Sequence, residues 1–140
     1  YENFEVIVVN DGSYDGTKEL LDKLALTHSN LKPVHLKIEE QYQKGKKFAL
    51  TIGIKAAENE YLLFTDADCK PQSDQWIKLM SEQYLTNDII LGVAPINTKS
   101  NLLGSIVSYE TFHTAIQYLG YANRNKTYMG VGRNLGSRNC

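Results

Sequence analysis

Val6-Ile7-Val8-Val9-Asn10-Asp11-Gly12-Ser13-Tyr14-Asp15-Gly16-Thr17 is the stretch from which the fold follows. Its first half, led in by Phe4 and Glu5, is a short, β-branched, almost continuous apolar run. That pattern predicts a strand buried on both faces. Its second half is dense in turn formers. Leu20, Leu21, Leu24 and Ala25 then recur at helical spacing, which predicts a helix from Thr17 to about Leu26.

Outward from this unit the same alternation repeats. Pro33 to Ile38 reads as a strand, with Val34, Leu36 and Ile38 alternating, and the polar, basic run Gln41 to Lys47 reads as a loop. A second helix is expected from about Lys46 to Ala57, with Ala49, Ile52, Gly53 and Ala56 on one face. Tyr61-Leu62-Leu63-Phe64-Thr65 is another buried strand, and it stops on Asp66-Ala67-Asp68-Cys69-Lys70-Pro71. Ser73 or Asp74 is placed to cap a third helix carrying Trp76, Ile77, Met80 and Tyr84. Ile89 to Ala94 is a further strand closed by Pro95. Leu102 to Tyr121 is a long amphipathic helix with Leu103, Ile106, Val107 and Phe112 on its apolar stripe, and Asn123 to Cys140 reads as loop. Strands and helices in strict alternation predict an α/β domain with a mostly parallel sheet flanked by helices. Ligands of such sheets bind at the carboxyl ends of the strands.

Composition bounds the function. The 140 residues are 42% hydrophobic and 22% charged, enough apolar content for one core and unlike a disordered chain. Fifteen basic against sixteen acidic residues leave a net charge of -1, which argues against a nucleic-acid binder. Apolar runs fall far short of the roughly 20 residues a membrane span needs. Tyr1-Glu2-Asn3-Phe4-Glu5 is charged and does not resemble a signal peptide. Two cysteines, Cys69 and Cys140, make no disulfide scaffold and point to a reducing compartment, the cytoplasm. With no Met at position 1, residues 1–140 are expected to be a single partial domain of a larger protein.

Two acidic clusters end predicted strands. Asp11 sits at the carboxyl edge of the first, where a carboxylate can accept hydrogen bonds from a nucleotide's ring N–H and ribose hydroxyl. Gly12 and Gly16 allow close backbone approach, and the following helix points its positive end at the same place. A strand-to-helix turn capped by Ser13 or Asp15 explains the same residues without a ligand. Asp11, Ser13, Asp15, Gly16 and Asp22 also fall on positions of an EF-hand loop, but a strand rather than a helix precedes them, and Lys18 and Asp22 break the pattern. In the second cluster, Asp66 and Asp68 at i and i+2 suit a divalent cation shared with a diphosphate, Mg²⁺ or Mn²⁺ by the hardness of the oxygens. A haloacid-dehalogenase phosphatase would want Thr or Val where Lys70 stands.

Between the clusters lies Lys44-Gly45-Lys46-Lys47, of which Lys46 is the diphosphate-binding candidate and Lys44 and Lys47 read as solvated. Tyr128-Met129-Gly130-Val131-Gly132-Arg133-Asn134-Leu135 is a glycine-rich loop with a cation that can line an acceptor or diphosphate pocket. His28, His35 and His113 are scattered and read as surface or core residues, and Cys69 as a small buried one.

In order and spacing these pieces resemble a family 2 glycosyltransferase with the GT-A fold. The match rests on Val6 to Thr17, on Gly45-Lys46-Lys47-Phe48-Ala49-Leu50-Thr51-Ile52-Gly53, on Leu63-Phe64-Thr65-Asp66-Ala67-Asp68-Cys69-Lys70-Pro71 and, more loosely, on Gly132-Arg133-Asn134-Leu135. The resemblance implies a Rossmann-like nucleotide-diphospho-sugar transferase domain, incomplete at both ends. It implies a nucleotide-diphosphate sugar as donor and a carbohydrate or lipid-linked acceptor. Asp11 would contact the base with Ser13 beside it, Lys46 would lie near the nucleotide, Asp66 would contact ribose or sugar, and Asp68 would bind the metal. The reaction implied is an inverting direct displacement with a carboxylate base. That base usually follows the Gly-Arg-Asn loop, so it is expected beyond Cys140; Glu110, the sole acid of the long helix, is the weaker candidate. As it stands the segment is expected to bind nucleotide poorly and turn over little. Relatives that continue into membrane helices imply membrane association of the full-length protein at the cytoplasmic face. The family's usual Asp-Asp-Gly-Ser begins here with Asn10. Two other readings remain open at this stage: a sugar-phosphate nucleotidyltransferase, which needs an early glycine-rich Thr-Arg loop, and a non-catalytic module that binds nucleotide sugar.

Overall fold

A computed structural model describes the backbone of residues 1–36 and 38–139, with side chains for 1–36 and 45–139. The chain forms two compact units, residues 1–62 with 139, and residues 63–138.

The first unit opens with strand β1 (Val6–Asn10), helix α1 (Thr17–Thr27) and strand β2 (Leu31–His35). β1 and β2 pair in parallel, from Val6 opposite Leu31 to Asn10 opposite His35, so the expected strand–helix–strand unit is present. β1 is only half-buried, with Val6 40% exposed and Asn10 buried at its carboxyl end. Helix α2 (Ile38–Ala56) follows, broken by non-helical geometry at Gly45 (φ 54°, ψ -168°). The strand expected over Pro33–Ile38 therefore ends at His35, Ile38 opens a helix, and residue 37 lies outside the described residues. The loop expected over Gln41–Lys47 has helical backbone up to that break, because Gln and Lys are good helix formers and only Gly45 resists. Farther along α2, a Cβ on Gly53 would meet Cγ2 of Val9 at 3.1 Å; the glycine lets the helix lie close on β1.

Glu5 ties this unit together. Its Oε1 accepts from the backbone N–H of Glu58 (2.9 Å) and Asn59 (3.0 Å) and from Nδ2 of Asn59 (2.5 Å). Lys32 Nζ lies 2.8 Å from its Oε2 and 2.8 Å from Oε1 of Glu58. Strand β3 (Tyr61–Phe64) carries the chain from the first unit into the second.

The second unit holds helix α3 (Trp76–Gln83), strand β4 (Ile89–Leu91), helix α4 (Leu102–Ala122), a 3₁₀ turn (Gly132–Asn134) and strand β5 (Leu135–Arg138). The final loop expected over Asn123–Cys140 is thus corrected: β5 lies between β3 and β4 and runs antiparallel to β4, Leu91 opposite Leu135. Its sequence, Leu-Gly-Ser-Arg, lacks the apolar alternation that marks a strand, and pairing with β4 supplies what propensity does not. Met80, Tyr84 and Ile90 form the core, with Leu63 and Trp76 against it. The expected cap of α3 is corrected: Gln75 holds the cap position without a side-chain cap bond, and the Ser73 hydroxyl oxygen instead accepts from the N–H of Gln75 at 3.0 Å, ahead of the helix.

Helix α4 departs from expectation. It buries Gly104, Ala115 and Tyr118, while Leu103, Ile106 and Phe112 are exposed. Two small residues and one tyrosine make the packed face, so the large aliphatic positions misidentify it. Asn101 caps the helix, accepting from the N–H of Gly104 at 2.7 Å. Among the described residues no helix is long and apolar enough to cross a membrane.

Candidate active site

The turn after β1 is built on Asn10. Its Oδ1 accepts from the N–H of Ser13 at 3.0 Å, and its carbonyl accepts from the N–H of Leu36 at 3.0 Å. Gly12 (φ 69°) and Gly16 (φ 80°) both adopt left-handed backbone, which glycine takes up without the steric cost of a Cβ, ahead of α1. The expected cap is corrected in detail. Gly16 holds the cap position; Asp15 reaches past it to accept from the N–H (3.3 Å) and hydroxyl (2.6 Å) of Thr17; Ser13 serves Asn10 instead. The Thr17 hydroxyl holds the Asp15 carboxyl below its ordinary value. Asp11 and Ser13 are left exposed on this turn, beside one another. Lys46 belongs to the same unit, exposed where α2 resumes after Gly45.

The second acidic turn belongs to the other unit. The N–H of Cys69 donates to the carbonyl of Asp66 at 3.0 Å, closing a tight turn over 66–69. Asp66 is half-buried at the end of β3 and Asp68 is exposed. The Sγ of Cys69 donates to Oδ1 of Asp68 at 3.8 Å, a weak bond. Two hard carboxylates two residues apart, one of them open to solvent, fit Mg²⁺ or Mn²⁺. Among the described residues no group of three or more His, Cys, Asp or Glu is placed to hold a metal ion. Asp11 and Ser13 thus lie on one turn of the first unit, and Asp66 and Asp68 on one turn of the second.

The Gly-Arg-Asn segment divides its labour. Asn134 is structural: its Oδ1 accepts from Nε1 of Trp76 (3.0 Å) and its Nδ2 donates to the carbonyl of Val93 (3.2 Å). Arg133 lines a cavity of about 170 Å³ with Glu110, Thr111, Thr114 and Tyr118. Tyr118 donates to the carbonyl of Gly92 at 3.0 Å, and burial pushes its phenol up while Arg133 pulls it back.

Sequence reasoning missed Asn10, His35 and Asn134 as organising residues. Asn10 carried a signal, a polar side chain closing an apolar strand; His35 and Asn134 bond to partners remote in sequence and carried none.

The model of glycosyl transferase family 2 matches residues 1–133. A poly-beta-1,6-N-acetyl-D-glucosamine synthase of Staphylococcus aureus (strain COL) is 31% identical over 135 residues, 94% of this chain and 30% of that protein. The protein of the same name from Staphylococcus epidermidis is 34% identical over 113 residues, 79% of this chain and 26% of that protein. The chain thus spans less than a third of the length of these relatives. With the acid-bearing strand ends, the glycine turn and a family match that runs over nearly all of its length, the chain belongs to glycosyl transferase family 2.

Proposed function

We propose that the full-length protein is an inverting glycosyltransferase of polysaccharide biosynthesis, transferring a sugar from a nucleotide-diphosphate donor to a hydroxyl of a carbohydrate or lipid-linked acceptor. One observation carries the reading: β1 and β3 each end in a turn bearing acids, Asp11 on one and Asp66 with Asp68 on the other. The carboxylate of Asp11 accepts from the base and the ribose, with Ser13 beside it. Asp66 accepts from ribose or sugar hydroxyls, Asp68 would hold Mg²⁺ or Mn²⁺, and Lys46 adds positive charge for the diphosphate. A divalent cation held there would supply positive charge against that of the departing nucleoside diphosphate. The acceptor hydroxyl gives its proton to a carboxylate base as it attacks the anomeric carbon. The names of the relatives support N-acetylglucosamine as the sugar.

The test uses the full-length protein with UDP-, GDP- and TDP-N-acetylglucosamine. Wild type transfers sugar from one of them, and chelation of divalent ions stops it. Asp68→Ala lowers transfer by about 10³-fold or more, the scale on which lost charge stabilisation acts. Wild-type turnover in Asp68→Ala defeats the metal assignment. Pyrophosphate release from a nucleoside triphosphate and a sugar phosphate replaces the reading by nucleotidyl transfer.

A further inference from the structure

Asn10 is the only buried polar or charged residue among those described, 6% exposed. Its amide orientation follows from its neighbours. The N–H of Ser13 can only donate, so the atom it meets at 3.0 Å is Oδ1. Nδ2 then faces Nδ1 of His35 at 3.3 Å, and Nδ2 can only donate. His35 must accept at Nδ1 and carry its proton on Nε2, which donates to Oδ1 of Asp22 at 2.9 Å. Lys18 Nζ holds the other oxygen of Asp22 at 2.7 Å, one helical turn away on α1. Each link along Lys18, Asp22, His35, Asn10 and Ser13 thus pairs one donor with one acceptor, and reversing the Asn10 amide would set donor against donor at Ser13.

We propose that Asn10, His35 and Asp22 are positioning residues for the turn that carries Asp11, passing the fixed geometry of α1 and β2 into the 10–13 backbone. None of the three needs to touch a ligand. His35 pairs opposite Asn10 in the β1–β2 register, so the sheet sets the ring's place, and Asp22 on α1 sets its tautomer. Asn10 converts both into a fixed position for the Ser13 amide, with Asp11 and Gly12 held between. The inference rests on the assignment of Asp11 and Ser13 to the nucleoside made above.

The experiment compares two substitutions at His35 in the full-length protein. His35→Gln keeps an acceptor for Asn10 and a donor for Asp22; His35→Phe keeps a ring and neither role. Amide hydrogen exchange over residues 9–16 reads the turn without any ligand, and titration with UDP, GDP and TDP reads the site. His35→Phe is expected to raise exchange in the turn by about tenfold and to weaken nucleoside diphosphate binding by about fivefold, whereas His35→Gln stays within about twofold of wild type in both. Asp22→Leu breaks the same chain from a half-exposed site and gives the His35→Phe result should that variant fail to fold. Wild-type exchange in both disrupting variants, equal effects of Gln and Phe, or undiminished binding in a loosened turn each overturn the positioning role. Exchange in the expected order with no nucleoside diphosphate bound by wild type leaves the turn-holding chain standing and overturns the nucleoside assignment instead.

Discussion

The indole Nε1–H of Trp76 donates to Oδ1 of Asn134 at 3.0 Å, joining the first residue of α3 to the turn that leads into β5. The same asparagine donates to the carbonyl of Val93 at 3.2 Å, and its own carbonyl accepts from Gly92 at 2.8 Å. One side chain and its backbone thereby hold α3, the end of β4 and the Gly-Arg-Asn turn in register. Asn134→Ala leaves the indole N–H and the Val93 carbonyl without these partners and is expected to cost about 1–3 kcal/mol. Trp76 is the chain's single tryptophan, so its fluorescence in a urea titration reports both the loss and a shift of emission.

Gly16 tests the turn after β1 by conformation alone. It sits at φ 80°, and a Cβ there would meet nothing nearer than Oε2 of Glu19 at 4.0 Å. Gly16→Ala therefore costs the backbone term of about 1–2 kcal/mol without a clash. Its stability loss is expected to be of that size in thermal unfolding, with the entry to α1 loosened.

Acid should act on the first unit through Glu5. Lys32 beside it, then the amide groups of residues 58 and 59, hold its carboxyl at about 2 against an ordinary 4.5, outweighing the upward push of burial. The folded value lies below the unfolded one. The stabilisation is thus fully present above pH 4.5 and lost as pH falls to about 2. Glu5→Gln, compared with wild type in melting temperature across that window, is expected to be less stable above it and to lose less on acidification.

Met80 measures the core of the second unit. It is 8% exposed and packs with Tyr84 and Ile90. Met80→Ala removes a buried side chain from a small cluster and is expected to cost about 2–4 kcal/mol, less where neighbours collapse into the space. Equilibrium unfolding measures it.

Much of this was legible along the chain. β1, α1, β3 and α3 announce themselves by period and turn chemistry, and the acid-bearing strand ends follow from where those periods stop. β5 was not legible, because Leu135, Gly136, Ser137 and Arg138 form a strand only against β4. The packed face of α4 was not legible either. Gly104, Ala115 and Tyr118 are buried by shape, while the side chains with the largest hydrophobic signal stay exposed.

From its sequence alone this protein was bound to alternate strands and helices, to turn sharply at Gly12 and Gly16, and to end two strands in acids, since local period and backbone sterics act between near neighbours. The folded chain alone decided that Asn10 faces His35, that Asn134 meets Trp76, and that Glu5 is clamped by residues 58 and 59. Those bonds join groups 25 to 58 residues apart. Their partners are selected by which surfaces come to rest together, which no local pattern encodes.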